Sequence, residues 1–178
     1  MIITGGKYRS RKLISPAEKI VKPTLSKVRE SVFNILYSRI DFEGKTFLDL
    51  FAGSGIMGFE AISRGFSSLI AIDNNSNNVA LLKKNAASLG IEGKFIKYDA
   101  LKFLKSPKET VDVIFIDPPY DTDLANLALD EIIDNGILAK DGIIVIETRK
   151  NKQIDFDGYK VIKECNYGLC NLYFLVIS

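Results

Sequence analysis

Histidine is absent from the 178 residues, and cysteine occurs only twice, at Cys165 and Cys170. Without imidazole, no triad or general-base scheme that depends on histidine can operate, and a Cys/His zinc site is excluded by composition. No metal is expected. The two cysteines lie close together near the C-terminus, and in a cytosolic chain they give no reason to expect a structural disulfide. Long apolar runs are missing as well. No stretch of 18 apolar residues exists, and the longest candidates, such as 172–177, have the length of a buried strand. The opening Met1-Ile2-Ile3-Thr4-Gly5-Gly6-Lys7 lacks the apolar core of a secretory signal, so the expectation is a cytoplasmic protein without membrane contact.

With 47% apolar and 26% charged residues, the composition is that of an ordinary globular chain, and its length suits one domain spanning 1–178. The net charge of +2 conceals an asymmetry. Residues 1–29 contain Lys7, Arg9, Arg11, Lys12, Lys19, Lys22, Lys27 and Arg29 against Glu18 alone, a balance of +7 that leaves −5 for the rest. A basic N-terminal extension over 1–40, consisting of an arm and a helix, points to a local anionic partner. The bland alternative is a solvated, partly disordered tail.

Ile2 and Ile3 can form a short strand before the Gly5-Gly6 turn. Pro16 and Pro23 punctuate an extended stretch, after which Thr24 or Ser26 can cap a helix over about 27–38. Val28, Val32, Ile35 and Leu36 share its apolar face, bordered by Phe33, while its first turn is expected to show Lys27 and Arg29. From residue 46 onward, apolar runs alternate with helical segments, as in a parallel α/β sheet. Strands are expected at 46–50, 68–72, 94–98, 111–116 and 142–147, with helices at about 56–63, 75–89, 100–104 and 124–135. Two further strands, 159–164 and 171–177, follow without a helix between them and read as an antiparallel pair at the sheet edge.

The segment Phe47-Leu48-Asp49-Leu50-Phe51-Ala52-Gly53-Ser54-Gly55-Ile56-Met57-Gly58 is an apolar strand that runs through a glycine turn into a helix. Glycines at 53, 55 and 58 also fit a dinucleotide fingerprint, so the spacing alone is a weak signal. Asp49 tips the choice, because a carboxylate there would repel a pyrophosphate yet can pair with a ligand's ammonium group. Asp73, followed by Asn74, ends the second strand, where it can accept hydrogen bonds from a ribose diol. Asp99 and Ala100 follow the third strand and can receive an adenine amine and supply a backbone donor, although Asp99 also reads as a helix N-cap. The expected ligand contacts are therefore Asp49, Phe51, Ala52, Gly53, Gly55, Asp73, Asn74, Asp99 and Ala100. NAD stays open at this level, but no second phosphate-binding element or dehydrogenase acid/base pair is visible.

Asp117-Pro118-Pro119-Tyr120 follows the fourth strand, which lies next to the first in a doubly wound order. Two prolines stiffen this loop and remove two N–H donors. An aromatic exocyclic amine is a poor nucleophile because its lone pair is delocalised into the ring. The Asp117 carboxylate and the Pro118 carbonyl can accept its two hydrogens and stabilise the charge that develops on nitrogen during attack on a methyl sulfonium. Tyr120 can stack on an extracted base. The amine becomes acidic once methylated, so its proton can leave without a histidine base. Asp117, Pro118, Pro119 and Tyr120 are the expected catalytic residues.

These blocks together resemble the RsmD family, whose members methylate the N2 amine of a guanine in 16S ribosomal RNA using S-adenosylmethionine. The resemblance runs almost end to end. It rests on 3–13, on Lys22-Pro23-Thr24 with Val28-Arg29-Glu30-Ser31-Val32-Phe33-Asn34, on 48–55 continuing to Ser63-Arg64-Gly65, and on 117–120. It implies a Rossmann-like class I S-adenosylmethionine-dependent methyltransferase fold, a seven-stranded mostly parallel sheet with an antiparallel C-terminal edge hairpin. It also implies S-adenosyl-L-methionine as cofactor and 16S rRNA in a small-subunit particle as partner; a monomer is the expectation, although the sequence does not fix the oligomeric state. Lys7, Arg9, Arg11, Lys12, Lys22 and Arg29 become the expected RNA contacts, and Thr24, Arg29 and Asn34 are placed beside the cofactor and the active-site entrance. Three positions depart from the family pattern. Lys22 stands where arginine is usual, an arginine near the start is missing, and Cys170 replaces a polar residue, commonly threonine. Adenine-N6 methylation of RNA or DNA and a non-catalytic RNA-binding role are the competing expectations.

Overall fold

The computed structural model describes residues 1–15, 25–106, 109–119 and 122–178. Pro16, Lys22, Pro23, Thr24 and Tyr120, all invoked above, lie outside the described residues. The sheet has seven strands in the order β3-β2-β1-β4-β5-β7-β6. Strands β1 (Thr46–Asp49), β2 (Ser68–Asp73), β3 (Lys94–Lys97), β4 (Val111–Ile116) and β5 (Leu138–Arg149) run parallel. Strands β6 (Tyr159–Tyr167) and β7 (Cys170–Ile177) pair antiparallel at the β5 side. The alternation of apolar runs and helices thus gives the expected mostly parallel sheet with an antiparallel C-terminal hairpin. The order in which successive strands are added reverses between β1 and β4, which opens a crevice at their carboxyl ends.

Helices cover both faces, and that is why the central strands are apolar at successive positions rather than alternately. Phe47, Val113 and Phe115 point to the side of α1 (Leu25–Tyr37), α2 (Ile56–Ser63) and α3 (Ser76–Leu89). Leu48, Ile114 and Ile116 point to the side of α4 (Ala100–Leu104) and α5 (Leu124–Asp134). A ring cluster of Phe33, Phe42, Phe47 and Phe66 ties α1 to the sheet, with Phe42 stacked on Phe66 at 4.4 Å between centroids.

Several boundaries differ from the sequence reading. Helix α1 begins at Leu25, so Ser26 lies inside its first turn and is not the cap. Strand β5 starts at Leu138 rather than 142, because Leu138 pairs with Val111 before an irregularity brings Ile143 opposite Val113. Strand β6 continues to Tyr167 through a similar register shift between Val161 and Lys163.

The N-terminal arm is not a loose tail. Ile2 bridges Lys12 in antiparallel fashion, the Ser10 N–H donates to the Ile3 carbonyl at 2.9 Å, and the Leu13 N–H donates to the Met1 carbonyl at 2.9 Å. Ile3 and Leu13 are buried beneath it. The arm is clamped onto α2 by Glu60, whose fully buried carboxylate accepts from the Thr4 N–H (2.9 Å), the Thr4 hydroxyl (2.7 Å) and the Gly5 N–H (2.8 Å). Gly6 adopts φ 75° and lies so close to α2 that a Cβ would meet the Ser63 carbonyl oxygen at 1.7 Å. On α3, Asn85 exchanges hydrogen bonds with the backbone of Ile14 at 2.8 and 3.1 Å.

Arg29 corrects one expectation. Its position in the first turns of α1 was read as exposed, yet it is only 2% exposed. Its guanidinium donates to the Ile2 carbonyl at 2.8 Å and lies 3.6 Å from Glu60. Arg29 lies beside Val28 and one turn before Val32 and Phe33, and the arm closes over that edge of the helix. Among the described residues, no helix is long and apolar enough to cross a membrane, and no group of three acidic or cysteine side chains could hold a metal ion.

Candidate active site

A cleft of about 410 Å³ opens at the carboxyl ends of β1, β2, β3 and β4, a volume in the ordinary range for small-molecule sites. Leu50, Phe51 and Gly53 come from the turn after β1, Asp73 and Asn74 from the end of β2, and Asp99 with Ala100 from the end of β3. Asp117, Pro118 and Pro119 form the wall beyond β4. The strand-end loops therefore bring together nine of the predicted site residues: Phe51, Gly53, Asp73, Asn74, Asp99, Ala100, Asp117, Pro118 and Pro119.

Asp73 organises the β2 side. One carboxylate oxygen accepts from the Gly53 N–H at 2.8 Å and from the Asn78 amide at 3.2 Å, and the other accepts from the Asn75 N–H at 2.8 Å. These bonds hold the glycine turn against β2 and orient a carboxylate that keeps one lone-pair site, on the oxygen bonded to Asn75, for a ligand hydroxyl. Gly53 itself has φ 51° and open space where a Cβ would stand, so backbone lies directly against the cleft. Asp99 caps α4 by accepting from the Lys102 N–H at 2.9 Å, and it also lines the cleft.

Three expected contacts lie behind this surface rather than on it. Gly55 is packed so tightly that a Cβ would meet Leu82 at 2.1 Å, so its role in the turn is to admit α3. Ala52 is buried and donates its N–H to the Ile72 carbonyl at 2.8 Å. Asp49 is 2% exposed and accepts from the Gly58 N–H at 3.2 Å. Burial pushes its carboxyl up to about 7, the Gly58 N–H opposing and the nearby Asp73 charge adding to the effect. At neutral pH it is poised between its two protonation states, and a cationic group placed near it would favour the ionised one.

Leu50, Asn75, Asn78, Tyr98 and Leu124 also line the cleft and were not anticipated. Three of them carried a signal. Asn75 is the N-cap of α3, its side chain accepting from the Asn77 N–H, and Asn78 follows one turn later on the face that looks back at β2. Tyr98 is a large exposed aromatic immediately before Asp99. Just ahead of α5, the Thr122 hydroxyl donates to the Pro119 carbonyl at 2.8 Å.

The basic arm stands away from this cleft. Helices α2 and α3 begin at the cleft and run from it, and the arm grips their distal halves at Glu60, Ser63, Asn85 and Ser88. From Asn78 to Ser88, ten residues of helix span about 15 Å. Lys7, Arg9, Arg11 and Lys12 are all exposed there.

The doubly wound sheet, the glycine turn braced by Asp73 and the proline loop across from it define a class I S-adenosylmethionine-dependent methyltransferase. Comparison with known proteins narrows this. Residues 1–176 match the family model described as conserved hypothetical protein 95, and the chain belongs to that family. It is 34% identical over 173 residues to "Ribosomal RNA small subunit methyltransferase D" of Haemophilus influenzae, covering 94% of this chain and 89% of that protein. It is 36% identical over 152 residues to "Putative rRNA methyltransferase YlbH" of Bacillus subtilis, covering 83% and 82% respectively. Among solved structures, a "Putative methyltransferase yhhF" from Escherichia coli superposes with a TM-score of 0.89 at 28% identity, covering 100% of this chain and 98% of that one. The protein is thus an S-adenosylmethionine-dependent RNA methyltransferase related to RsmD.

Proposed function

We propose that the protein methylates the exocyclic N2 amine of a guanine in 16S rRNA of the small ribosomal subunit, acting as a monomer. The observation that carries this reading is the loop Asp117-Pro118-Pro119, held across the same cleft as Gly53 and Asp73. The relatives named as small-subunit rRNA methyltransferases supply the choice of RNA.

The cleft suits S-adenosylmethionine. Asp73 and Asp99 would hold its ribose and adenine, the exposed backbone at Gly53 would lie against it, and Asp49 would provide the negative charge beneath its amino-acid end. When bound, it supplies a methyl group on a sulfonium. The chain's own part is to prepare the amine. Asp117 and the Pro118 carbonyl accept its hydrogens and direct its lone pair into the cleft. The same acceptors stabilise the positive charge gained in the transition state, which makes this differential binding rather than simple affinity. Tyr120 offers an aromatic face on which the base can stack.

On the RNA side, Lys7, Arg9, Arg11, Lys12 and Lys22 meet phosphates, and the arm with α1 over 1–40 acts as the RNA-binding extension of the domain. Arg29 acts through the arm rather than by contact with RNA, because its guanidinium is engaged by Ile2 and Glu60.

Replacing Asp117 tests the mechanism. The Asp117→Ala protein is expected to bind S-adenosylmethionine with unchanged affinity by calorimetry while methyl transfer to small ribosomal subunits falls by about 100-fold or more, the size of losing one oriented transition-state acceptor. Equal turnover in the two proteins would sink it.

A further inference from the structure

The cleft has a neighbour that the methyl-transfer reading leaves unused. Ile116, the last residue of β4, pairs with Ile146, whereas β5 continues to Arg149, which pairs with Cys170. At about 3.3 Å per residue, the β5/β7 wall stands roughly 10 Å above the level at which the Asp117 loop begins. The β6–β7 turn crowns this wall, with Tyr167 paired to Cys170 and Leu169 at the apex. Leu169 is 86% exposed, more than any other large apolar side chain among the described residues.

An exposed leucine alone is unremarkable, but this one is held in place. Its carbonyl accepts from the Lys150 N–H at 2.9 Å, Cys170 Sγ donates to the Tyr167 carbonyl at 3.4 Å, and the Tyr167 hydroxyl bonds Ser31 Oγ on α1. Cations surround it. Arg149 and Lys150 are exposed at the end of β5, and exposed Lys27 precedes Ser31 by one helical turn on the same face of α1. The exposed acids on these elements are Glu30 on α1, Asp141 near the start of β5, eight residues before Arg149, and Glu164 on β6, five residues before Leu169.

We propose that Leu169 is a wedge that enters the base stack of the RNA beside the target nucleotide, with Lys150 and Lys27 meeting the flanking phosphates. The proposal rests on the RNA methyltransferase reading. A base whose amine is to lie at Asp117 must leave its stack, and apolar side chains inserted between bases are a known way to offset that cost. A protein partner fits this surface poorly, because a single apolar residue among cations lacks the contiguous apolar centre of a stable protein interface.

The test compares Leu169→Ser and Leu169→Met with the unaltered protein, using labelled S-adenosylmethionine and small ribosomal subunits from a strain lacking the gene. Both variants are expected to keep the melting temperature and the S-adenosylmethionine affinity. Leu169→Ser is expected to lose about tenfold or more in kcat/KM for the subunit, and Leu169→Met to retain most of it. Undiminished kcat/KM in Leu169→Ser overturns the wedge and leaves the methyltransferase reading standing. Equal losses in both variants also overturn it, since the shape of the turn rather than its apolar side chain would then matter. If the unaltered protein places no label on RNA, the methyltransferase reading fails and the wedge fails with it.

Discussion

Burial governs Asp49 more than any of its neighbours does. Its carboxyl, ordinarily near 3.8, is pushed up to about 7 in the folded protein. A group whose folded pKa is raised stabilises the fold most below its unfolded pKa, and that contribution is lost as pH rises toward 7. Asp49→Asn removes this penalty while leaving an oxygen for the Gly58 N–H. The variant is therefore expected to gain stability relative to the unaltered protein as pH rises from 5 to 8. Because each pKa unit corresponds to about 1.4 kcal/mol, urea denaturation can resolve the divergence. The same variant should bind S-adenosylmethionine more weakly at pH 8, since the charge beneath the amino group is gone. Parallel stability profiles together with equal affinity would contradict the role given to Asp49. That Asp49 matters was legible in the sequence, because an acid ahead of a glycine turn is at odds with pyrophosphate binding. That it lies behind the turn was not, since the depth of a strand-end residue depends on how closely α2 and α3 approach, which Gly55 and Gly58 decide through Leu82 and Leu69.

The elements show the same division. Helices α2 and α4 were readable at 56–63 and 100–104 because periodicity, a preceding glycine turn and an Asp cap agree there. The start of β5 was not readable, because Asp141-Gly142 looks like a turn while the chain instead continues in a strand through an irregular pairing. The arm was read for its charge, but its anchorage was invisible, because Glu60 lies 55 or more residues from its partners Thr4 and Gly5. Glu60 also faces the partly exposed Arg64 at 2.8 Å and the buried Arg29 at 3.6 Å. Removing one partner of a buried ion pair typically costs about 3–5 kcal/mol, because the remaining charge is left without compensation. Glu60→Gln is accordingly expected to lower stability by about 3 kcal/mol and to expose Arg9, Arg11 and Lys12 to faster tryptic cleavage. Denaturation and digestion rates matching the unaltered protein would show that the arm is held by other contacts.

At the level of the whole molecule, the distance between cleft and arm matters most. One set of helices carries the Asp73 side of the cleft at one end and the exposed cations of the arm at the other, about 15 Å apart by helix rise. An RNA that reaches both must follow the side of the protein rather than merely present a nucleotide at the cleft. That geometry favours an extended, shaped substrate over a short strand, in keeping with recognition of folded RNA through its backbone. In the proposed reaction the chemistry is set more locally, by Asp117 to Pro119 across from Gly53 and Asp73. The most direct test is to incubate the purified protein with labelled S-adenosylmethionine and small ribosomal subunits lacking its modification, and then to map the label by mass spectrometry of 16S rRNA fragments. The account predicts one N2-methylguanosine at a single position; label on adenine, or subunits left unlabelled, would contradict it.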